Sequence, residues 1–202
     1  MTGQSKTRES SDRKIMRAAR ILAAAEKILR EGDGELEMGQ VAEQAGVSVG
    51  LAYHYFDSKS GMLGAIIHAF YDRYNQVANQ YIDPDIEWGV REKRRLMAVV
   101  EFLYHDPMAP VILGKMARTN QVAAVEAARH EEMIEMAIRN INSGIKRRDI
   151  GSHIDPTIAG AAITGAIRSG IIHAMGMEPR PDPAKLTHQI WGMIAGALDI
   201  ER

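Results

Sequence analysis

From Arg13 to Ile200 the apolar residues of this chain recur at intervals of three and four, and they almost nowhere alternate. A period near 3.6 lines one side of a helix, whereas strict alternation would line one face of a strand. Aromatic residues make up only 5%, and runs of Val, Ile and Thr with a period of two are hard to find. The spacing therefore predicts an all-α fold. The chain has 202 residues, 46% of them hydrophobic, so there is enough apolar material to close a core and a mainly disordered chain is set aside. No internal repeat of solenoid length is present.

Punctuation divides the helices. The first is expected from Arg13 to Arg30, capped by Ser11 or Asp12, with Ile15, Ala18, Ala19, Leu22, Ala25, Ile28 and Leu29 on its inner face. The glycines of Glu31-Gly32-Asp33-Gly34 end it. Short helices are expected at about 38–45 and 48–56. Ser58 then caps a long fourth helix to about Tyr81, with Met62, Leu63, Ile66, Ile67, Phe70, Tyr74 and Val77 buried. Asp83-Pro84 breaks it. Longer helices follow at about 89–106, 108–115, 119–149, 155–177 and 182–200. Asp155-Pro156 and Asp182-Pro183 each set a capping acid before a proline at the first helical position, while Gly144 and Gly151 mark weak points or turns. The result is about nine helices in three parts: a flexible basic tail at 1–12, a three-helix head at 13–60 and a larger helical body at 61–202.

The formal net charge is −1, so nothing global advertises nucleic acid. Residues 1–20, however, hold six basic side chains against two acidic ones, a local surplus of positive charge. There is no cysteine, hence neither a disulfide framework nor thiolate chemistry. The N-terminus has no apolar core of a secretory signal, and no apolar stretch is read as approaching the roughly 18–20 residues of a membrane span. These features suit a cytoplasmic protein with no membrane partner.

Residues 38–57 read MGQVAEQAGVSVGLAYHYFD. A helix-turn-helix needs a small residue where its helices cross, and Ala42 is there. It needs a glycine in the turn, where the backbone turns left-handed without a Cβ penalty, and Gly46 follows four residues on. Val41, Ala45, Val47, Ala52 and Phe56 supply the apolar flanks, and Ser48 stands where a cap would open the second helix. An amphipathic helix precedes the pair, as a three-helix head requires.

The run AGVSVGLAYHYFDSKSGMLGAI resembles the DNA-binding head of the TetR family of transcriptional regulators, with its aromatic pair, Phe, polar turn, Lys and Leu. The likeness spans about residues 13–70, and the body resembles the family in helix layout alone. The resemblance implies that the third helix enters the major groove of double-stranded operator DNA. Val49, Gly50, Leu51, Tyr53 and His54 would face the bases. Tyr55 takes a position where the family often has a phosphate-contacting His, and Ser48 caps the helix. Lys59 would hold a phosphate at the start of the fourth helix, a role that also follows from the anion affinity of a helix N-terminus. The chain departs from the family in three places. Val49 and Leu51 cannot hydrogen-bond a base edge, although they can touch a thymine methyl. Glu37 stands where a Thr cap is common, and its charge faces DNA unfavourably. Ser60 replaces the common Glu after Lys59.

In the body, the helix at 155–177 and the last helix are rich in Gly, Ala and Ser, and each helical glycine costs roughly 1 kcal/mol relative to alanine. Close helix approach is the simplest reason for such a cost. The resemblance implies that these two helices pair with their copies in a homodimer, with Ala162, Ala166, Gly170, Trp191, Gly192, Ala195 and Gly196 as the candidate face. The same resemblance suggests an inducer cavity among the middle helices. Candidates for its lining are Trp88, Met97, Phe102, Tyr104, Ile112, Met116, Met133 and Met136, the methionines being suited to irregular apolar sites. His105, Asp106 and Asn120 are polar groups that would either orient a ligand or cap helices.

Nothing in the sequence has the form of a catalytic site. A phosphate-cradling glycine loop, HExxH and a nucleophile elbow are all missing, and no metal or cofactor is implied. The expected function is a dimeric repressor that binds a palindromic operator and is released by a small apolar or amphipathic effector. An activator of the same fold and a helical small-molecule carrier with a degenerate head are the alternatives.

Overall fold

The computed structural model describes residues 3–116 and 120–200, with side chains at 13–114, 116 and 123–200. Every regular element among them is helical: α1 (Gly3–Glu31), α2 (Met38–Ala45), α3 (Val49–Phe56), α4 (Lys59–Ala78), α5 (Trp88–His105), a π-helical segment (Val111–Lys115), α6 (Asn120–Arg147), α7 (Pro156–Met175) and α8 (Pro183–Ala197). The expected start of α6 at Thr119 and the chain end at 201–202 lie outside the described residues.

Two boundaries differ from the sequence reading in an instructive way. The first helix begins at Gly3, so Ser11 and Asp12 lie inside it and the expected tail at 1–12 is helical from Gly3 onward. No proline interrupts this stretch, and extending a helix already nucleated by a packed segment costs little per residue. Gly144 does not break α6 either. A Cβ there would meet Ile150 at 2.6 Å and Trp88 at 3.3 Å, so the glycine serves a close approach within a continuous helix.

The proline-led caps form as the sequence indicates. The Asp155 carboxylate accepts from the Thr157 and Ile158 amides, and Asp182 accepts from Lys185. Each carboxylate satisfies donors that a helix start leaves free and faces the positive end of the helix dipole.

The head packs α1, α2 and α3 around Ile21, Leu29, Leu36, Val41, Ala42 and Ala52, all essentially shut off from solvent. The inner face of α1 is set by Ile21, Ala24, Ala25 and Leu29, whereas Ile15, expected inside, is 64% exposed. Among the described side chains of α1, full burial begins at Ile21. Helix α4 belongs to both parts. Its start, with Met62 and Ile66, closes the head, and further along Phe70, Tyr71 and Tyr74 are buried in the body. There Phe70 stacks on Phe102 with ring centroids 5.8 Å apart.

Candidate DNA interface and ligand cavity

The helix pair at 38–56 is built by local chemistry. Gly46 takes φ 62° and ψ 44°, the left-handed conformation that a glycine adopts freely, and its amide and that of Val47 close back onto Glu43 and Ala42. Ser48 then opens α3, its hydroxyl accepting from the Leu51 amide at 3.2 Å. Ser58 does the same for α4, accepting from Gly61 at 3.0 Å. Gly61 is needed because a Cβ there would lie 2.2 Å from the Phe56 carbonyl oxygen. The end of α3 is thus pressed against the beginning of α4, which fixes the angle at which α3 is presented.

On α3, Ala52 points into the core, and Val49, Gly50, Tyr53 and His54 point outward, Val49 and Tyr53 each 45% exposed. Leu51 and Tyr55 are half-buried. The Tyr55 ring packs edge-on to His54 at 5.7 Å and against the core, so it supports the helix more than it faces out. Of the residues singled out on α3 and its cap, Ser48, Val49, Gly50, Tyr53 and His54 form one outward surface.

Lys59 is already engaged. Its ammonium sits 3.1 Å from a Glu37 carboxylate oxygen and 3.6 Å from Glu35. Hydrogen bonding to Glu37 raises the Lys59 pKa above its ordinary value. Glu37 stands at the N-cap of α2 with extended backbone, yet its side chain makes no capping bond, having gone to Lys59. Where the family commonly has a Thr cap, α2 therefore starts without a side-chain cap. No sequence signal announces this contact, because the partners lie 22 residues apart.

The body holds a half-open cavity of about 140 Å³ between α4, α5, α6, α7 and α8. Of the residues expected to line it, Trp88, Met133 and Met136 do so. The other five are placed elsewhere, for separate reasons. The Met97 sulfur accepts from the Thr187 hydroxyl at 3.5 Å. Phe102 is held by Phe70 and Tyr74, and Tyr104 lies under the Arg180 guanidinium at 5.8 Å. Ile112 and Met116 are packed into solid core. The wall is completed by residues not expected in it, among them Arg95, Val99, Ile141, Ile167 and Trp191, the last expected on the dimer face. At one edge of this mostly apolar wall Arg95 pairs with Glu92, whose second oxygen accepts from the Asn140 amide at 3.1 Å. Asp106 is structural: it caps Met108 at 2.8 Å and pairs with Arg73 at 2.9 Å, while the His105 ring lies 2.8 Å from the Glu101 carbonyl. The side chain of Asn120 lies outside the described residues.

Two polar clusters tie α4 to its surroundings. Arg73 reaches Asp106 at the end of α5 and Glu26 of α1 at 3.8 Å, joining head to body. Burial raises the Glu26 pKa above the usual carboxylate value despite this arginine. Deeper in, the Tyr71 hydroxyl donates to Glu126 of α6 at 3.1 Å, and Arg168 of α7 donates to the other Glu126 oxygen at 2.8 Å. Burial and the Glu126 charge push the Tyr71 phenol up to about 12. A signal for this cluster was available, since Arg168 is the only Lys, Arg, Asp or Glu in the whole of α7.

The small residues of α7 and α8 divide into two sets. Gly160 admits Ile138 of α6, which a Cβ would meet at 2.8 Å, and Gly170 faces Ile190 of α8. These two serve packing within the chain. Trp191 and Ala195, expected on the outer face, point inward, with Trp191 6.5 Å from Trp88. Facing out or half-covered are Ala162, Ala166, Gly192 and Gly196, and among the described residues nothing beyond the local helix backbone lies within 4 Å of a Cβ built at Gly165 or Gly192. Beside them Ile158 is 70% and Met193 67% exposed. By length and composition α7 is apolar enough to cross a membrane, with a mean hydropathy of 1.3, which corrects the expectation that no stretch approaches that limit. Only 22% of its most apolar window is buried within the chain.

A small helical head with an outward third helix is set on a helical body with a cavity. Residues 21–66 match the family described as bacterial regulatory proteins, tetR family. No curated protein matches the chain at the sequence level. Among solved structures, the fatty acid degradation regulator FadR from Bacillus halodurans superposes with a TM-score of 0.74 at 18% identity, covering 92% of this chain and 97% of its own. FadR from Bacillus subtilis, solved in complex with stearoyl-CoA, gives 0.71 at 18% identity over 87% and 96%. NalD, the secondary repressor of the MexAB-OprM multidrug efflux pump in Pseudomonas aeruginosa, gives 0.70 at 18% over 91% and 96%. Residues 21–66 thus match the head of the TetR family, and the chain shares the fold of solved TetR-family transcriptional regulators.

Proposed function

We propose that the chain is a dimeric, cytoplasmic repressor that binds a palindromic operator through α3 and is released by an apolar or amphipathic small molecule. The observation that carries this reading is the outward set Val49, Gly50, Tyr53 and His54 on a short helix locked at both ends. The apolar Val49 suits a thymine methyl, and the hydroxyl of Tyr53 and the ring of His54 suit base edges or phosphates. Lys59 and the amides at the start of α4 supply a phosphate site once Glu37 is displaced.

The uncovered apolar strip of α7 and α8, around Ile158, Gly165, Gly192 and Met193, supports a second copy as its cover. A two-fold dimer would set half-sites one helical turn or a multiple apart, about 34–36 Å per turn. Release follows from α4, which supplies Tyr74 and Ala78 to the cavity wall and Met62 and Ile66 to the head core. A ligand that widens the cavity displaces α4, and Arg73 passes the shift to α1 through Glu26. The heads then no longer fit consecutive grooves. Such couplings typically amount to about 1–3 kcal/mol. The stearoyl-CoA held by the Bacillus subtilis FadR supports an amphipathic ligand for this fold.

Duplex binding by Tyr53→Ala and Lys59→Ala proteins tests the reading. Both substitutions are expected to weaken operator binding without unfolding the head, the lysine change also making the salt dependence shallower. Unchanged duplex binding in both variants would overturn α3 as the reading helix, and no duplex binding by the unsubstituted chain would favour a small-molecule carrier instead.

A further inference from the structure

The inner cavity, at about 140 Å³, is smaller than the roughly 300–1,000 Å³ of a usual ligand site. Next to it, under the segment that joins α4 to α5, lies an outer groove of about 360 Å³. Arg95 is the one side chain that borders both. Its guanidinium is split between two tasks. One terminal nitrogen donates to Glu92, while Nε is buried without a partner. On the groove side stands Arg94, exposed and without an ion-pair partner among the described residues. The acid that borders the groove is Asp83, one oxygen of which accepts the Asp85 amide. The groove thus has the unpaired Arg94 and the Glu92-paired Arg95 against one partly committed anion, Asp83. The inner cavity is mostly apolar, its polar residues being Tyr74, Thr164 and the Arg95–Glu92–Asn140 edge.

We propose that the effector is an amphiphile with an anionic head and a slender apolar chain. The chain fills the inner cavity against Trp88, Val99, Ile141 and Trp191, and the head, a carboxylate or a phosphate, lies in the groove on Arg94 and Arg95. A buried donor without a partner is costly, and an anion at Arg95 Nε removes that cost, which a neutral head does less well. The chain gains by leaving water for an apolar wall. The inference rests on the reading of the cavity as the effector site of a regulator.

Calorimetric titration of the full chain with dodecanoate, dodecyl phosphate and dodecanol, each below its aggregation limit, provides the test. At least one anion is expected to bind, with dodecanol weaker by roughly tenfold or more. The anion that binds better identifies the head as carboxylate or phosphate. Arg94→Gln should weaken the anions about threefold while leaving dodecanol unchanged. The double variant Arg95→Gln, Glu92→Gln, which avoids a lone carboxylate in the wall, should erase the preference for an anion. Equal binding of dodecanol and the anions overturns the proposal, as does an Arg94→Gln effect of the same size on all three. If none binds while the same preparation still binds operator duplex, this ligand class is wrong and the repressor reading stands. If duplex binding is missing as well, the failure reaches that reading too.

Discussion

The head and the body are made of the same kind of helix and solve opposite problems. In the head, small residues let short helices cross closely, and Val41, Ala42 and Ala52 leave no space between them. In the body, longer helices with Trp, Tyr and Met at their contacts leave a void of about 140 Å³ with one polar edge. In the proposed function the head must hold one shape to read DNA, and the body must be able to change shape to sense a ligand. The comparison teaches that rigidity here comes from turn chemistry over a few residues, whereas adaptability comes from packing between residues far apart in the chain.

Adding the same bulk to each region should sharpen the contrast most. Ala52→Leu overfills a closed core and is expected to cost about 2–3 kcal/mol in urea unfolding, while Ala137→Leu grows into the cavity and should change stability by less than about 1 kcal/mol. Equal costs would mean that the void is not space the body can use. A smaller contrast sits along α4. Gly61→Ala drives a methyl into the Phe56 carbonyl and should cost about 1–3 kcal/mol, but Gly64→Ala, with nothing within 4 Å, should stabilise by roughly 0.5–1 kcal/mol.

Within the body, Tyr71→Phe removes one of two donors to Glu126 and is expected to cost about 1 kcal/mol, read by thermal unfolding. The smallest effect belongs to the head surface. Glu37→Gln frees Lys59 from its carboxylate and should tighten duplex binding by a few-fold at low salt, the gain fading as salt rises. A loss of affinity would show that Glu37 positions Lys59 and does not compete with phosphate for it.

How much of this was legible in the sequence follows the same division. Gly46, Ser48, Ser58, Asp155 and Asp182 act on backbone groups within a few residues, so their roles could be read directly and are found in the structure. The outward set on α3 came with the resemblance: Val49, Gly50, Tyr53 and His54 point outward, whereas Leu51, expected with them, is half-buried. The body was harder. Helix α8 carries apolar residues on most of its surface, so local pattern did not tell that Trp191 and Ala195 face in and Met193 faces out. The cavity wall is assembled from five helices, and Phe102 or Ile112 could join it only if their partners stood elsewhere. Glu37 with Lys59, and Tyr71 with Glu126 and Arg168, are contacts of tertiary structure between residues that no spacing rule connects.

The most direct measurement is selection of bound duplexes from a random DNA pool, scored at two salt concentrations. Recovery of a palindrome whose half-sites lie a whole number of helical turns apart, with binding that weakens steeply at the higher salt, is the expected result. Failure of the folded chain to enrich any sequence, or enrichment of a single half-site alone, would contradict a dimeric operator reader.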